Sequence, residues 1–198
     1  MGQNIRRVAA FCALLVIAGC GGSEVETAFT TRSDALAAQR TAAFNAGIQD
    51  TDTLPTSGSA SYSGLTQLEL DVTGDDDRSL IGDITFDVSF AAADGSSFDA
   101  TATNFTDAND GAYTGVLLLS NGTIYRLTGP TAGTTLDGII DGQLTGPNGE
   151  ILQVDAVLVG DFYGANWQYL VGDVSGTADL DGLSASVDGT FSSEISSP

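Results

Sequence analysis

The chain has 198 residues and a formal net charge of −20, with 6 basic and 26 acidic side chains. A field of that sign repels phosphates and anionic headgroups, which excludes nucleic acid as a partner. With 42% hydrophobic residues the chain can bury one folded core, while its 25 glycines and short apolar runs argue against long helices.

Arg6 and Arg7 precede an uncharged apolar run from Val8 to Ala18. A spanning helix needs about 20 apolar residues, so the run reads as the core of a secretory signal and not as an anchor. Ile17-Ala18-Gly19-Cys20 resembles the lipobox of bacterial lipoproteins, which implies cleavage before Cys20 and a diacylglycerol on its thiol. Buried acyl chain contributes about 0.8 kcal/mol per methylene, so a diacylated or triacylated cysteine is expected to hold the chain on a bilayer. Gly21 stands where lipoproteins retained at the inner membrane carry aspartate, and the resemblance therefore implies the outer membrane.

Loss of residues 1–19 would leave four arginines against 26 carboxylates, a formal charge of −22, and no free thiol. An acidic surface of this kind suits solubility, attraction of cations or a basic partner.

Residues 20–56 are Thr/Ala-rich and read as a lipidated spacer with one short helix, N-capped by Ser33 with Asp34 in its first turn and ended by Gly47. Leu36, Ala43 and Phe44 share one face, but little other apolar area is offered for docking, so the segment is expected to lift the following domain off the bilayer. Asp50 to Pro55 marks its end with turn formers.

Residues 57–198 change to period two. Leu68, Leu70 and Val72 alternate with Glu69 and Asp71, and Ile84, Phe86, Val88 and Phe90 alternate with polar residues. The pattern repeats at Phe98-Ala100-Ala102, at Leu152-Val154-Ala156-Leu158 and at Ala185-Val187-Phe191. Val116 to Leu119 is continuously apolar and reads as a strand covered on both sides. Between the runs lie Gly74 to Asp77, Asp94-Gly95, Asn109-Asp110-Gly111, Asn121-Gly122, Gly129-Pro130, Pro147-Asn148-Gly149 and Asp181-Gly182. Such pairs accept the positive φ of tight hairpins, which predicts direct antiparallel connections. Eight or nine strands with one dry face each remove their open edges by closing into an all-β, up-and-down antiparallel barrel; a two-layer sandwich is the alternative.

Gly58-Ser59-Ala60-Ser61-Tyr62-Ser63-Gly64, Gly160-Asp161-Phe162-Tyr163-Gly164-Ala165-Asn166 and Gly172-Asp173-Val174-Ser175-Gly176 resemble the barrel domain of transferrin-binding protein B-like surface lipoproteins, over about Gly58 to Glu194. The resemblance implies an eight-stranded barrel with a filled interior, displayed on the outer surface of a Gram-negative cell and presenting loops to a protein or iron-containing ligand. Trp167 replaces a usually small residue, and Gln168 and Tyr169 stand where an acid is common. The two-lobed transferrin receptors are much larger, and a single barrel is not expected to grip transferrin itself.

Phe162, Tyr163, Trp167 and Tyr169 gather aromatic surface around one turn; Phe162 and Tyr163 belong to the motif and are expected to pack the barrel. Trp167, Asn166 and Tyr169 are the candidate ligand-binding residues, and Cys20 is the lipid-attachment residue. Neither Asp75-Asp76-Asp77 nor Asp107 to Gly111 has the ligand order of an EF-hand loop, so no metal is assigned, and no cofactor either. The chain has no histidine and no lysine, and with Cys20 acylated and Cys12 removed it has no thiol; the usual nucleophile-base pairs, Schiff bases and zinc sites are then absent. Only paired carboxylates could act in catalysis, and 26 acids form many pairs by chance, so a non-enzyme is expected. The expected role is binding of a protein or small solute at the cell surface, beside a TonB-dependent receptor or a surface-lipoprotein translocator; the alternative is a structural or adhesive envelope protein.

Overall fold

The computed structural model describes residues 27–50, 53–90, 97–126 and 136–197. Cys20 and the signal segment lie outside the described residues, as do the turn signals Asp94-Gly95 and Gly129-Pro130.

The period-two segments form β1 (Ser59–Val72), β2 (Arg78–Ser89), β3 (Ser97–Asp107), β4 (Ala112–Ile124), β5 (Leu136–Thr145), β6 (Ile151–Tyr163), β7 (Tyr169–Leu180) and β8 (Leu183–Ser197). Each pairs antiparallel with its sequence neighbour, and β8 returns to β1, so the sheet is a closed eight-stranded barrel and not a sandwich. Alternation fixes the register because a one-residue slip would turn every dry face outward. Leu68, Leu80, Ile84, Phe86, Phe98, Leu152 and Phe191 fill the interior. The opposite faces carry Glu69, Asp71, Asp87, Asp99, Asp141, Asp155 and Asp188, all exposed. A membrane-spanning barrel has the reverse arrangement, with its apolar band outside.

Two expectations about β4 need correction. Val116 to Leu119 is not covered on both sides: Leu117 and Leu119 point inward, whereas Leu118 is 48% exposed. Asn121-Gly122 is not a hairpin turn either. Asn121, at φ 58°, makes a bulge inside β4 where the register against β3 shifts, and its amide donates to Asp99 Oδ1 at 2.9 Å. A residue pair that accepts positive φ serves a bulge as readily as a turn. The turns at 73–77, 108–111, 147–149 and 181–182 fall as expected.

The single α-helix among the described residues, α1 (Ala28–Ala46), begins earlier than its sequence suggests. Thr27 is the N-cap, its side chain accepting from the Thr30 amide, while Ser33 lies inside the helix and donates to Gln67 Oε1 at 3.0 Å. Gly47 ends the helix at φ 82°, its amide donating to the carbonyls of Ala43 and Phe44.

Instead of standing apart as a spacer, α1 lies along the outer wall of the barrel. Leu36 and Ala43 are buried, as are the outward-facing Ile81 and Val171. Two arginines complete the contact. Arg32 donates to the carbonyls of Ile81 (3.2 Å) and Asn104 (2.9 Å), at the bulge where β2 and β3 lose register, and pairs with Asp83 at 2.6 Å. Arg40 donates to the carbonyls of Gly172 (2.8 Å) and Phe191 (3.1 Å), and its guanidinium lies 5.4 Å from the Phe44 ring centroid. Polar contacts to strand carbonyls thus replace the wide apolar stripe that the helix lacks.

Candidate functional site: a cleft at the open end of the barrel

The two ends of the barrel differ. Tight turns close one end, where Arg78 reaches Tyr113 Oη and Glu150 Oε1, both at 3.2 Å. Against the desolvation that burial imposes, the amides of Glu150 and Asn148, the Tyr113 hydroxyl and the Arg78 charge hold the Glu150 carboxyl below the ordinary carboxylate range. Asp107, in the next turn, accepts from the amides of Asn109 and Gly111, both at 2.8 Å, so this acidic turn is closed by its own backbone.

Longer connections leave the other end. Here the chain returns from α1 across the barrel mouth. Gln49 N–H donates to the Phe162 carbonyl (2.9 Å), Leu54 enters the core, and Arg126 donates to the carbonyls of Leu54 (2.9 Å) and Pro55. Between this crossing and the β6–β7 turn a cleft of about 480 Å³ remains, lined by Pro55, Gly58, Ala60, Tyr62, Phe90, Asn166, Trp167 and Ile195 among others. That volume falls within the range of small-molecule pockets.

The β6–β7 turn is built to present Trp167. Gly164 has φ 76°, a single turn of 3-10 helix covers Ala165–Trp167, and both Asn166 (φ 59°) and Trp167 (φ 56°) are left-handed. Asparagine tolerates that conformation, but for a bulky residue it is strained by about 1–3 kcal/mol. The strain is offset by fixed contacts. Tyr62 Oη donates to the Trp167 carbonyl at 2.9 Å, and Ile195 N–H donates to the Gln168 carbonyl at 2.8 Å. The Trp167 ring centroid is 6.5 Å from that of Phe90, which lies tilted 6.1 Å from Phe162, and Phe162 is 6.0 Å from Tyr62. This aromatic layer forms the floor of the cleft. Burial pushes the Tyr62 hydroxyl far above the ordinary tyrosine range. The Trp167 indole Nε1 is buried and has no hydrogen-bond partner.

Of the residues singled out in the sequence, Asn166 and Trp167 line the cleft together with Tyr62, and Phe162 lies beneath it. Tyr169 does not join them. It opens β7 on the outer face, opposite Tyr163 and Glu194, with its hydroxyl accepting from Gln168 Nε2 at 3.1 Å. Tyr163 packs edge-on against Phe44 of α1, with centroids 5.4 Å apart. Sequence reasoning misses Phe90, Ile195 and the 55–60 segment, which come to the cleft only because β8 closes on β1. Among the described residues, no group of three or more histidine, cysteine or acidic side chains is arranged to hold a metal.

Comparison of the chain with protein-family models, with curated proteins and with solved structures gives no match in any of the three. None of the three links the chain to transferrin-binding protein B-like barrels.

Proposed function

We propose that this is a non-catalytic surface lipoprotein, anchored in the outer membrane through Cys20, whose barrel holds a binding cleft for a small solute or a protein side chain away from the bilayer. One observation carries the reading: the chain enters at one end of the barrel and the cleft lies at the other. At the start of α1, Phe29 N–H donates to Asp110 Oδ1 (3.1 Å) in a closed-end turn. At its end, Gly47 and Ile48 join Gly164 and Tyr163 beside the cleft. The 19-residue helix is about 28 Å long. A tether from Cys20 to Thr27 reaches about 25 Å at most when fully extended. On this reading the anchor lies nearer the closed end, and the cleft faces away from the bilayer. The left-handed Trp167 supports a binding role, because strain of this kind persists where surrounding structure holds a side chain for a purpose.

The supporting experiment has two parts. Metabolic palmitate labelling should mark the wild-type chain and not Cys20→Ala. Titration of the purified chain with the neutral, environment-sensitive dye prodan should show one saturable site, weakened about tenfold or more by Trp167→Ala, the loss expected when an anchoring aromatic is removed. Equal labelling of both chains contradicts the anchor, and non-saturable or variant-independent dye binding contradicts the cleft.

The acidic outer wall favours a second reading, a structural or adhesive envelope protein whose coat tunes surface contacts. Under that reading the dye finds no saturable site.

A further inference from the structure

We infer that the ligand of the cleft is a small organic cation with an apolar, one- or two-ring body; the inference rests on the reading of the cleft as a binding site. Three observations select that chemistry. Trp167, Phe90, Tyr62 and Ile195 are among the residues that line the cleft, and the faces of aromatic rings attract a cation. Glu194 is the one charged residue among the described lining residues. It stands on the outer face of β8 opposite Tyr169, exposed at the rim, and accepts a hydrogen bond from Gln168 Nε2 at 2.9 Å with lone pairs to spare.

The third observation concerns the cations of the chain. Arg32 and Arg40 are committed to the seam between α1 and the wall, and Arg78 to the closed end. Arg126 is not among the lining residues and donates to the carbonyls of Leu54 and Pro55. No guanidinium is placed among the described lining residues to receive an anionic ligand, and the net charge of −20 repels anions over a longer range. A cation gains from both terms. Its apolar body takes the area offered by the aromatic layer, and its charge lies against ring faces near the rim that carries the Glu194 carboxylate.

The test uses three naphthalene probes of matched shape, carrying a trimethylammonium-methyl, a hydroxymethyl or a carboxymethyl group. Trp167 is the only tryptophan in the chain, so one indole N–H signal in a proton-nitrogen correlation spectrum reports on the cleft. At about 0.15 M salt, where exposed charges farther than about 8 Å are largely screened, the ammonium probe should bind about two- to fivefold tighter than the alcohol. The carboxylate should bind weakest. Glu194→Gln should narrow the gap between the ammonium and the alcohol without closing it, since the ring faces still attract the cation. If the alcohol binds as tightly as the ammonium in the wild type, or if Glu194→Gln leaves their ratio unchanged, the cation inference is overturned and the cleft survives. If none of the probes moves the indole signal, both fall.

Discussion

Gly160 and Gly172 stand directly opposite each other on β6 and β7, with the Phe191 ring packed against both. A Cβ on Gly172 would come within 1.9 Å of the Val159 carbonyl oxygen and 2.6 Å of Phe191 Cε1. These glycines open two of the segments singled out in the sequence, at Gly160 and Gly172. Their role is therefore packing: the wall must approach itself closely where a large ring fills a narrow interior.

Gly172→Ala is expected to destabilise the barrel by about 1–3 kcal/mol, the range for overpacking a close-packed interior, read as a lower urea midpoint. Gly182, at φ 89° in the β7–β8 turn, has nothing within 4 Å of the position a Cβ would take, so Gly182→Ala should cost only the backbone strain, about 1–2 kcal/mol. Equal effects from Gly172→Ala and an ordinary exposed substitution would argue against the packing account.

Removing Arg32 should loosen α1 before it unfolds the barrel. Arg32→Ala leaves the carbonyls of Ile81 and Asn104 without the guanidinium that bridges the β2–β3 bulge, at a cost of about 1–3 kcal/mol. Hydrogen exchange should quicken across residues 28–46 while the amides of β5 and β6 keep their protection. Uniform loss of protection would mean that the helix and the barrel unfold as a single unit.

The pH dependence has two edges with opposite signs. The Glu150 carboxyl is held down in the folded state, so its contribution is present above about pH 4.3 and is lost as pH falls through the lowered value. The Tyr62 hydroxyl is pushed up, so its contribution is full below about pH 10 and is lost as pH rises beyond that. Tyrosinate absorbance should therefore show Tyr62 ionising only together with unfolding. Tyr62→Phe should flatten the alkaline edge and lower stability by about 1 kcal/mol through loss of the bond to the Trp167 carbonyl.

Like charges face one another across the outer wall. Asp141 is directly opposite Asp155, Asp87 opposite Asp99, and Glu69 opposite Asp188. Such pairs destabilise a sheet, and salt screens them. The thermal midpoint should rise with sodium chloride, and Asp141→Asn should raise it at low salt and reduce the slope. A midpoint that falls with salt would show that attractive pairs such as Arg32–Asp83 dominate.

Alternation makes the barrel legible because a dry inner face and a wet outer face impose period two on every strand. Leu118 breaks the rule that a continuous apolar run is covered twice, and Asn121-Gly122 shows that a turn signal also fits a bulge. Ser33 and Asp34 have the chemistry of a cap and draw the expected start of α1 too far along the chain, whereas Thr27 takes that role with no acidic residue in the first turn. Docking of α1 is hidden for a related reason: Arg32 and Arg40 bind strand carbonyls, which leave no mark in hydrophobic periodicity. Trp167 and Asn166 can be singled out locally. Phe90, Glu194 and Ile195 cannot, since their nearness depends on closure of β8 against β1 and on the crossing of the mouth by residues 53–58.

The orientation of the cleft is open to direct measurement through the fluorescence of Trp167 in the lipidated protein bound to vesicles. With brominated acyl chains in the bilayer, the emission should be unchanged, while acrylamide added to the aqueous phase should quench it. Quenching by the brominated chains would place Trp167 against the membrane and contradict an outward-facing cleft.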